Sequence, residues 1–418
     1  MKKKQFLLFA SLLAFSAVCV IGCSNSLMAS LLRDKNGPVQ ARAIGIQIET
    51  PPDETEYGLG DELDLTGLAV NMVFDDGNLI PVPTSSVSVS GFDNATIGEQ
   101  TLTVSYRGMS ATFSIELIRP NGSPKFPILI DMGQEFGSIA SIDPSKHYRQ
   151  IGDIDLNNLG ITEWTPIGSG SPFTGSYDGG GFGINHLTVR LKNNSGLFGT
   201  IGTGGIVKNI NLIDIDIDVG SSNDGGAVAI TNNGTIENCY VTGKISGNSN
   251  FGGIAGTNNG IIRNCYVSAY IAGDGGNIGG IAGIANSSSN TIQYCLVTGN
   301  IIDSGDNSGN IGGIVGDAGG TINNCVVLSP DITLLATKGS MKRGRISGTS
   351  PRSGSTPNWA REDLTFKGGA WGALDASGYD GTNVAEAAYN DPSWWKNTAL
   401  FTNEWWWDDV IRLPPTVQ

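Results

Sequence analysis

The pattern of apolar and polar positions divides the chain into segments with different periods. Residues 6–21 form an almost unbroken apolar run. In residues 43–118, apolar and polar positions alternate in short runs, as at Ile44 and Ile46, and turn residues separate the runs about every ten positions. A period of two is typical of strands with one buried face, so this segment predicts a small β-sandwich.

A longer repeat fills the centre of the chain. A Gly-Gly pair recurs at intervals of 27, 27 and 33 residues, and each pair is followed by Asn- and Gly-rich positions and then by a cysteine. Short strands separated by such corners, with one repeat for each turn, predict a parallel β-solenoid. A helical solenoid would not carry so many glycines, because glycine destabilises helices. The pairs begin at Gly225, Gly252, Gly279 and Gly312.

The repeat places one cysteine in each coil, at Cys239, Cys265, Cys295 and Cys325. Residues at equivalent positions of adjacent coils stack about 4.8 Å apart, which is within the Cα range of a disulfide. Stacked side chains point the same way, however, which gives the sulfurs poor geometry for bonding. A metal site needs ligands that converge on one point rather than a line. We therefore predict a structural ladder of buried thiols and no metal, with disulfide bonds as the alternative.

One strand of the array carries alternating isoleucines and aspartates over residues 213–218. Alternation predicts that all three isoleucines point inward and that all three carboxylates lie on the outer face, about 6.6 Å apart. Carboxylates at such spacing could act as an acid–base pair, but only three basic residues occur in residues 196–330. We interpret the strand as a candidate binding face without catalytic residues. Its carboxylates are Asp214, Asp216 and Asp218.

Two segments resemble known families. Residues 43–118, through runs such as Leu63-Asp64-Leu65-Thr66-Gly67-Leu68, resemble the bacterial immunoglobulin-like domains of spirochaete and Gram-positive surface proteins. The repeats, through Gly252-Gly253-Ile254-Ala255-Gly256 and Asn238-Cys239-Tyr240-Val241-Thr242-Gly243, resemble the GLUG-motif family. That resemblance implies a right-handed parallel β-helix over residues 126–360, after a linker at 119–125, and an adhesin-like surface protein.

The N-terminus is typical of an export signal. Three lysines precede the apolar run, which is too short to span a membrane comfortably and ends in Val20-Ile21-Gly22-Cys23. This ending resembles the bacterial lipobox, which implies removal of residues 1–22, lipidation of Cys23 and a tether over residues 23–42. Two or three acyl chains hold a protein stably on a bilayer. Ser24 after the cysteine implies delivery to the outer membrane, so we expect a surface-exposed envelope protein.

Composition excludes several functional classes. The chain has 25 basic and 39 acidic residues among 418, a net charge of −14, which disfavours nucleic acid because duplex binding depends on basic groups. Two histidines leave little for histidine-based metal or acid–base chemistry. We therefore predict no nucleic-acid partner and no cofactor, and we expect a monomer.

Residues 361–418 hold most of the tryptophans, since seven of the eight lie beyond residue 358. A solenoid end needs a cover, because an open last coil exposes unpaired strand edges. We interpret this segment as an aromatic C-terminal cap, with a carbohydrate-stacking platform as the alternative. A nearby basic stretch is interpreted as a solvated loop, with an anionic surface ligand as its alternative. It contains Lys338, Lys342, Arg343, Arg345 and Arg352.

These features together predict an all-β protein that is anchored to the membrane through its lipid. Its β-helix would present a binding surface to a host or envelope protein or glycan, and the chain would not be an enzyme. Two alternatives stay open. One is a carbohydrate-active β-helix enzyme, either a polysaccharide lyase or a hydrolase. The other is a purely structural envelope protein.

Overall fold

The structure is a computed structural model, and its description is confined to ten ranges. These are residues 41–131, 142–162, 164–190, 195–220, 224–285, 287–304, 309–334, 342–351, 357–367 and 380–401. The predicted signal segment, Cys23 and nearly all of the tether lie outside the described residues. The same holds for Lys338, Arg352 and the tryptophans at 371 and 405–407.

The first unit consists of two antiparallel sheets, in the strand orders β1-β3-β4 and β2-β7-β6-β5. Its strands are β1 (Ala43–Thr50), β2 (Glu56–Gly58), β3 (Ala69–Phe74), β4 (Leu79–Val82), β5 (Ser88–Ser90), β6 (Gly98–Tyr106) and β7 (Met109–Ile118), and a 3-10 turn spans Thr84–Ser86. Alternate residues of β7 are buried, among them Phe113, Ile115 and Leu117. The predicted β-sandwich is confirmed.

The second unit is a parallel β-solenoid, as the repeat predicts. Its largest sheet has fourteen strands and is called the long sheet here. The long sheet contains β10 (Ile154–Asp155), β12 (Gly183–Asn185), β13 (Thr188–Val189), β16 (Asn211–Asp218), β20 (Tyr240–Gly247), β24 (Tyr266–Val267), β25 (Tyr270–Gly273), β29 (Leu296–Val297), β30 (Ile301–Asp303), β34 (Val326–Val327), β35 (Asp331–Leu334), β37 (Trp359–Arg361), β38 (Thr365–Lys367) and β39 (Thr382–Val384).

Three smaller parallel sheets complete the coils. The eight-stranded sheet contains β8 (Ile128–Ile130), β9 (His147–Gln150), β11 (Ser176–Asp178), β15 (Ile206–Lys208), β19 (Thr235–Glu237), β23 (Ile261–Arg263), β28 (Thr291–Gln293) and β33 (Thr321–Asn323). One five-stranded sheet contains β14 (Phe198–Ile201), β18 (Ala229–Asn232), β22 (Ala255–Asn258), β27 (Ala282–Ala285) and β32 (Val315–Ala318). The other contains β17 (Gly225–Gly226), β21 (Phe251–Gly252), β26 (Ile278–Gly279), β31 (Asn310–Gly312) and β36 (Lys342–Gly344).

The Gly-Gly pairs exist because adjacent coils approach closely there. A Cβ at Gly280 would lie 2.1 Å from the carbonyl oxygen of Gly313 in the next coil.

Side-chain amides also link the coils at another position. Asn250 donates to Asp224 at 2.8 Å, and Asn277 donates to Asn250 at the same distance. Stacking of equivalent residues therefore satisfies polar groups as well as apolar ones.

The described part of the C-terminal segment packs against the side of the solenoid. Helices α1 (Glu386–Tyr389) and α2 (Pro392–Asn397) cover part of the outer face of the long sheet, where Trp395 belongs to an apolar cluster with Leu296 and Val326. Trp395 is 1% exposed and Trp359 is 6% exposed, so neither ring forms an open platform for sugar stacking. Strands β38 and β39 also extend the long sheet to Val384, beyond the boundary placed at residue 360.

The interpretation of the basic stretch as a solvated loop is wrong for Arg345. This side chain is only 3% exposed, and it occupies the position that Gly313 holds in the preceding coil. Its guanidinium donates to Asn383 Oδ1 at 2.7 Å and to the Gly381 carbonyl at 3.3 Å. Arg345 therefore ties the last coils to the C-terminal segment instead of facing solvent.

Candidate functional site

Strand β16 places the predicted aspartates on the outer face of the long sheet, but its alternation is interrupted. Asp214 has a φ of +52°. Leu212 pairs with Val241 and Ile215 pairs with Gly243, so β16 has one more residue than β20 over this span. This extra residue is a β-bulge. The expectation that all three isoleucines point inward is therefore wrong for Ile213, which is partly exposed, while Ile215 and Ile217 are buried.

The carboxylate of Asp216 is paired with a cation. Its Oδ2 forms an ion pair with Nη2 of Arg190, and both side chains are partly exposed. Strand pairing places Lys244 beside Asp216 on the next coil, and Tyr270 beside Lys244 on the coil after that. Lys244 is exposed and Tyr270 is 41% exposed. The face is thus a row of mixed charge that ends in an aromatic ring, not a plain row of three carboxylates.

A histidine lies beside the bulge. His186 has a φ of +61°, and its backbone N–H donates to the carbonyl of Ile213. Its Nδ1 lies 2.9 Å from Asp155 Oδ1, and the hydrogen bond from the imidazole lowers the pKa of Asp155. An exposed imidazole oriented by a carboxylate can accept a proton from a ligand. Sequence reasoning missed this pair, although His186 is one of only two histidines.

We call the outward side chains of this region the charged face. It consists of His186, Arg190, Asp216, Lys244 and Tyr270, with Asp155 behind the imidazole. Asp214 and Asp218 flank it on β16 and are exposed. The interior of these coils is filled by apolar side chains. The outer residues are therefore not needed for the core.

The four cysteines form a column inside the solenoid. Each is fully buried with a free thiol. The backbone N–H of Tyr266, which follows Cys265, donates to the carbonyl oxygen of Cys239, so the cysteines of these adjacent coils lie next to each other. Burial raises the pKa of three of them well above the ordinary value. Neutral buried thiols are unreactive. The three are Cys239, Cys265 and Cys295.

Within the described ranges, no three His, Cys, Asp or Glu side chains lie close enough together to hold a metal ion. In the same ranges, no helix has the length and apolarity needed to cross a membrane.

The sandwich at the start of the chain matches a known domain family over residues 50–117. The segment is a bacterial Ig-like domain of group 3. The chain also resembles the crystal structure of a Bacteroides ovatus protein provisionally named an immunoglobulin A1 protease. That match has a TM-score of 0.54 and 23% identity, and it covers 64% of this chain and 86% of the other. At this identity, the likeness establishes a shared fold.

Three curated relatives match parts of the chain. Halomucin of Haloquadratum walsbyi is 30% identical over 190 residues, which are 42% of this chain and 2% of halomucin. Pectate lyase L of Thermoclostridium stercorarium is 39% identical over 70 residues, 17% of this chain and 6% of the lyase. A protein of Evansella cellulosilytica named a Gly-rich membrane protein is 30% identical over 128 residues, 29% of this chain and 15% of that protein. The chain thus spans only a small part of each relative.

These relatives overturn one prediction. The sequence predicts a protein without enzymatic activity, yet a pectate lyase is among its relatives. That prediction rests on the small number of basic residues near the aspartates and on the scarcity of histidine. The structure weakens both grounds, because it brings Arg190, Lys244 and His186 onto the face that carries Asp216.

Proposed function

We propose that this protein is an envelope lipoprotein, anchored through Cys23, whose β-solenoid binds acidic polysaccharide along the charged face. The predicted export signal and the ending Val20-Ile21-Gly22-Cys23, which resembles a lipobox, support the location. The bacterial Ig-like domain and the relatives named as halomucin and as a membrane protein support it as well. The Cys23→Ala variant is expected to move from the membrane fraction to the soluble fraction, because it has no acceptor for the acyl chains.

The pair formed by Lys244 and Tyr270 carries the proposal for the ligand. Both side chains are exposed, and they occupy paired positions on adjacent coils, about 4.8 Å apart. An ammonium group binds the carboxylate of an acidic sugar, and an aromatic ring packs against the apolar face of the sugar ring. The solenoid core does not require either residue, since the neighbouring Ile245 and Ile271 supply the buried contacts.

Polygalacturonate is the probe that we choose for this proposal. The full-length protein in detergent is expected to bind it, and Lys244→Gln or Tyr270→Ala should weaken binding by about tenfold. The matched control is Lys342→Gln, which removes an exposed lysine of strand β36. Binding that both test variants leave unchanged would contradict the assignment.

A second candidate function is cleavage of the bound polysaccharide, which His186 and Asp155 favour. In a β-elimination, the imidazole would take the proton on the carbon next to the sugar carboxylate. The electron pair then forms a C=C bond to the adjacent carbon as the bond from that carbon to the glycosidic oxygen breaks, and the released oxygen takes a proton from water. The relative named as a pectate lyase supports this reaction class. Unsaturated products absorb ultraviolet light, so their release can be followed directly.

His186→Asn separates the two candidates. Asparagine tolerates the left-handed backbone found at this position, so the fold should persist while the base is lost. Release of unsaturated products by the wild type but not by His186→Asn would establish the lyase function. Binding without release of products would leave polysaccharide binding as the function of this face.

A further inference from the structure

A separate cleft opens at the corner between the eight-stranded sheet and the long sheet. Its volume is about 320 Å³, a size that suits a small ligand. Glu237, Arg263 and Gln293 line it from three adjacent coils, and Leu400 closes one side from the C-terminal segment. None of these residues belongs to the charged face.

The corner residue of one coil departs from the pattern of its neighbours. Four coils place asparagine in the left-handed region at this corner, and asparagine tolerates that conformation. At Tyr294 the φ is +55°, which is uncommon for a bulky side chain. Leu400, across the cleft, also has a positive φ, of +59°, and is 44% exposed. Strained backbone at two bulky residues that line one cleft points to a binding role.

Tyrosine also gives up contacts that asparagine makes at this corner. The side chain of Asn238 donates to Asn209 at 2.9 Å, which links two coils. Tyr294 has no amide with which to continue this link. Its ring instead packs edge-on against Phe401, with centroids 6.1 Å apart, and it lines the cleft. The C-terminal segment thus holds the aromatic ring in place.

The polar groups of the cleft are held in fixed positions. Arg263 donates from Nε to Glu237 Oε2 at 2.7 Å, and its Nη2 lies 2.5 Å from the same oxygen. Strand pairing puts Gln293 directly beside Arg263. The carboxylate and the guanidinium neutralise each other, so the cleft carries no net charge from this pair. Donors and acceptors beside an aromatic ring match the hydroxyl groups of an uncharged sugar.

We propose that this cleft binds a neutral saccharide unit, with the Tyr294 ring against the sugar ring and Glu237, Arg263 and Gln293 bonded to its hydroxyl groups. The inference does not depend on the function of the charged face. It concerns different residues and a ligand of different charge.

Calorimetric titration of the full-length protein tests this assignment. The probes are neutral hexasaccharides of glucose, galactose, mannose and xylose, with hexagalacturonate as the acidic comparison. At least one neutral probe is expected to bind with an affinity that salt does not change. Tyr294→Asn should weaken it by about tenfold. That variant restores the residue of the other coils and relieves the strain of the positive φ, which offsets the lost contact with Phe401, so the solenoid should still fold.

Tyr106→Asn is the matched control, since it removes a partly exposed tyrosine on strand β6 of the Ig-like domain and should leave neutral binding unchanged. Gln293→Ala provides a second test that leaves the ring in place and should also weaken binding. Three results would overturn the proposal. They are no binding of any neutral probe, binding that Tyr294→Asn leaves intact, and preference for hexagalacturonate that Tyr294→Asn abolishes.

Discussion

Replacing Arg345 with alanine tests how the solenoid holds its C-terminal segment. The guanidinium is buried and donates to Asn383 and to the Gly381 carbonyl. The carboxyl group of Asp380 is fully buried beside it and accepts from the Arg345 backbone at 3.0 Å. Hydrogen bonds to a charged group contribute about 1.5–3 kcal/mol each, and the alanine variant loses both of these guanidinium bonds. Since Asn383 is exposed and water can replace its bond, we expect a loss of about 3 kcal/mol.

The loss should appear first at the end of the solenoid, because each coil contacts only its neighbours. Urea unfolding is followed by tryptophan fluorescence, which reports the buried Trp395, and by circular dichroism, which reports the whole array. In Arg345→Ala the fluorescence transition should move to lower urea and precede the circular dichroism transition. Lys342→Ala, a change at an exposed residue of strand β36, should shift neither by more than about 0.5 kcal/mol. The account would be refuted if the fluorescence and circular dichroism transitions of Arg345→Ala coincided and its free energy of unfolding lay within about 1 kcal/mol of the wild-type value.

Two further predictions concern the solenoid interior. Gly280→Ala should lower the melting temperature strongly, because its Cβ would lie 2.1 Å from the Gly313 carbonyl oxygen. Gly45→Ala is the control and should leave the melting temperature unchanged, because there is open space around Gly45. Equal melting temperatures for the two variants would contradict the close-approach argument. The three buried thiols with raised pKa should resist alkylation until the protein unfolds. Their contribution to stability is complete below the ordinary thiol pKa of about 8.5, and it should be lost as the pH rises above that value, because the unfolded state then releases protons that the folded state retains. Urea titrations at increasing pH measure this effect, and a stability that rises above pH ~8.5 would show that the thiols ionise in the folded state.

The repeats and turns were predictable because their causes are local or periodic. Gly280 and its equivalents repeat wherever one coil must approach the next, so the period of the solenoid is visible in the sequence. Turns such as the one at Gly77, with a φ of +83°, need glycine for the same local reason. Alternation along a strand such as β7 depends only on which face is buried.

The candidate sites depend on contacts between residues that are far apart in the sequence. The bulge at Asp214 arises because β16 and β20 differ by one residue over the same span, which neither strand reveals alone. Arg345 resembles a solvated base in the sequence, and only the C-terminal segment that surrounds it makes it a buried anchor. Tyr294 and Leu400 meet across one cleft because the chain returns along the outside of the solenoid. The sequence by itself therefore determined the coils, whose interactions repeat at a fixed period, while only the tertiary structure decided which side chains share a surface.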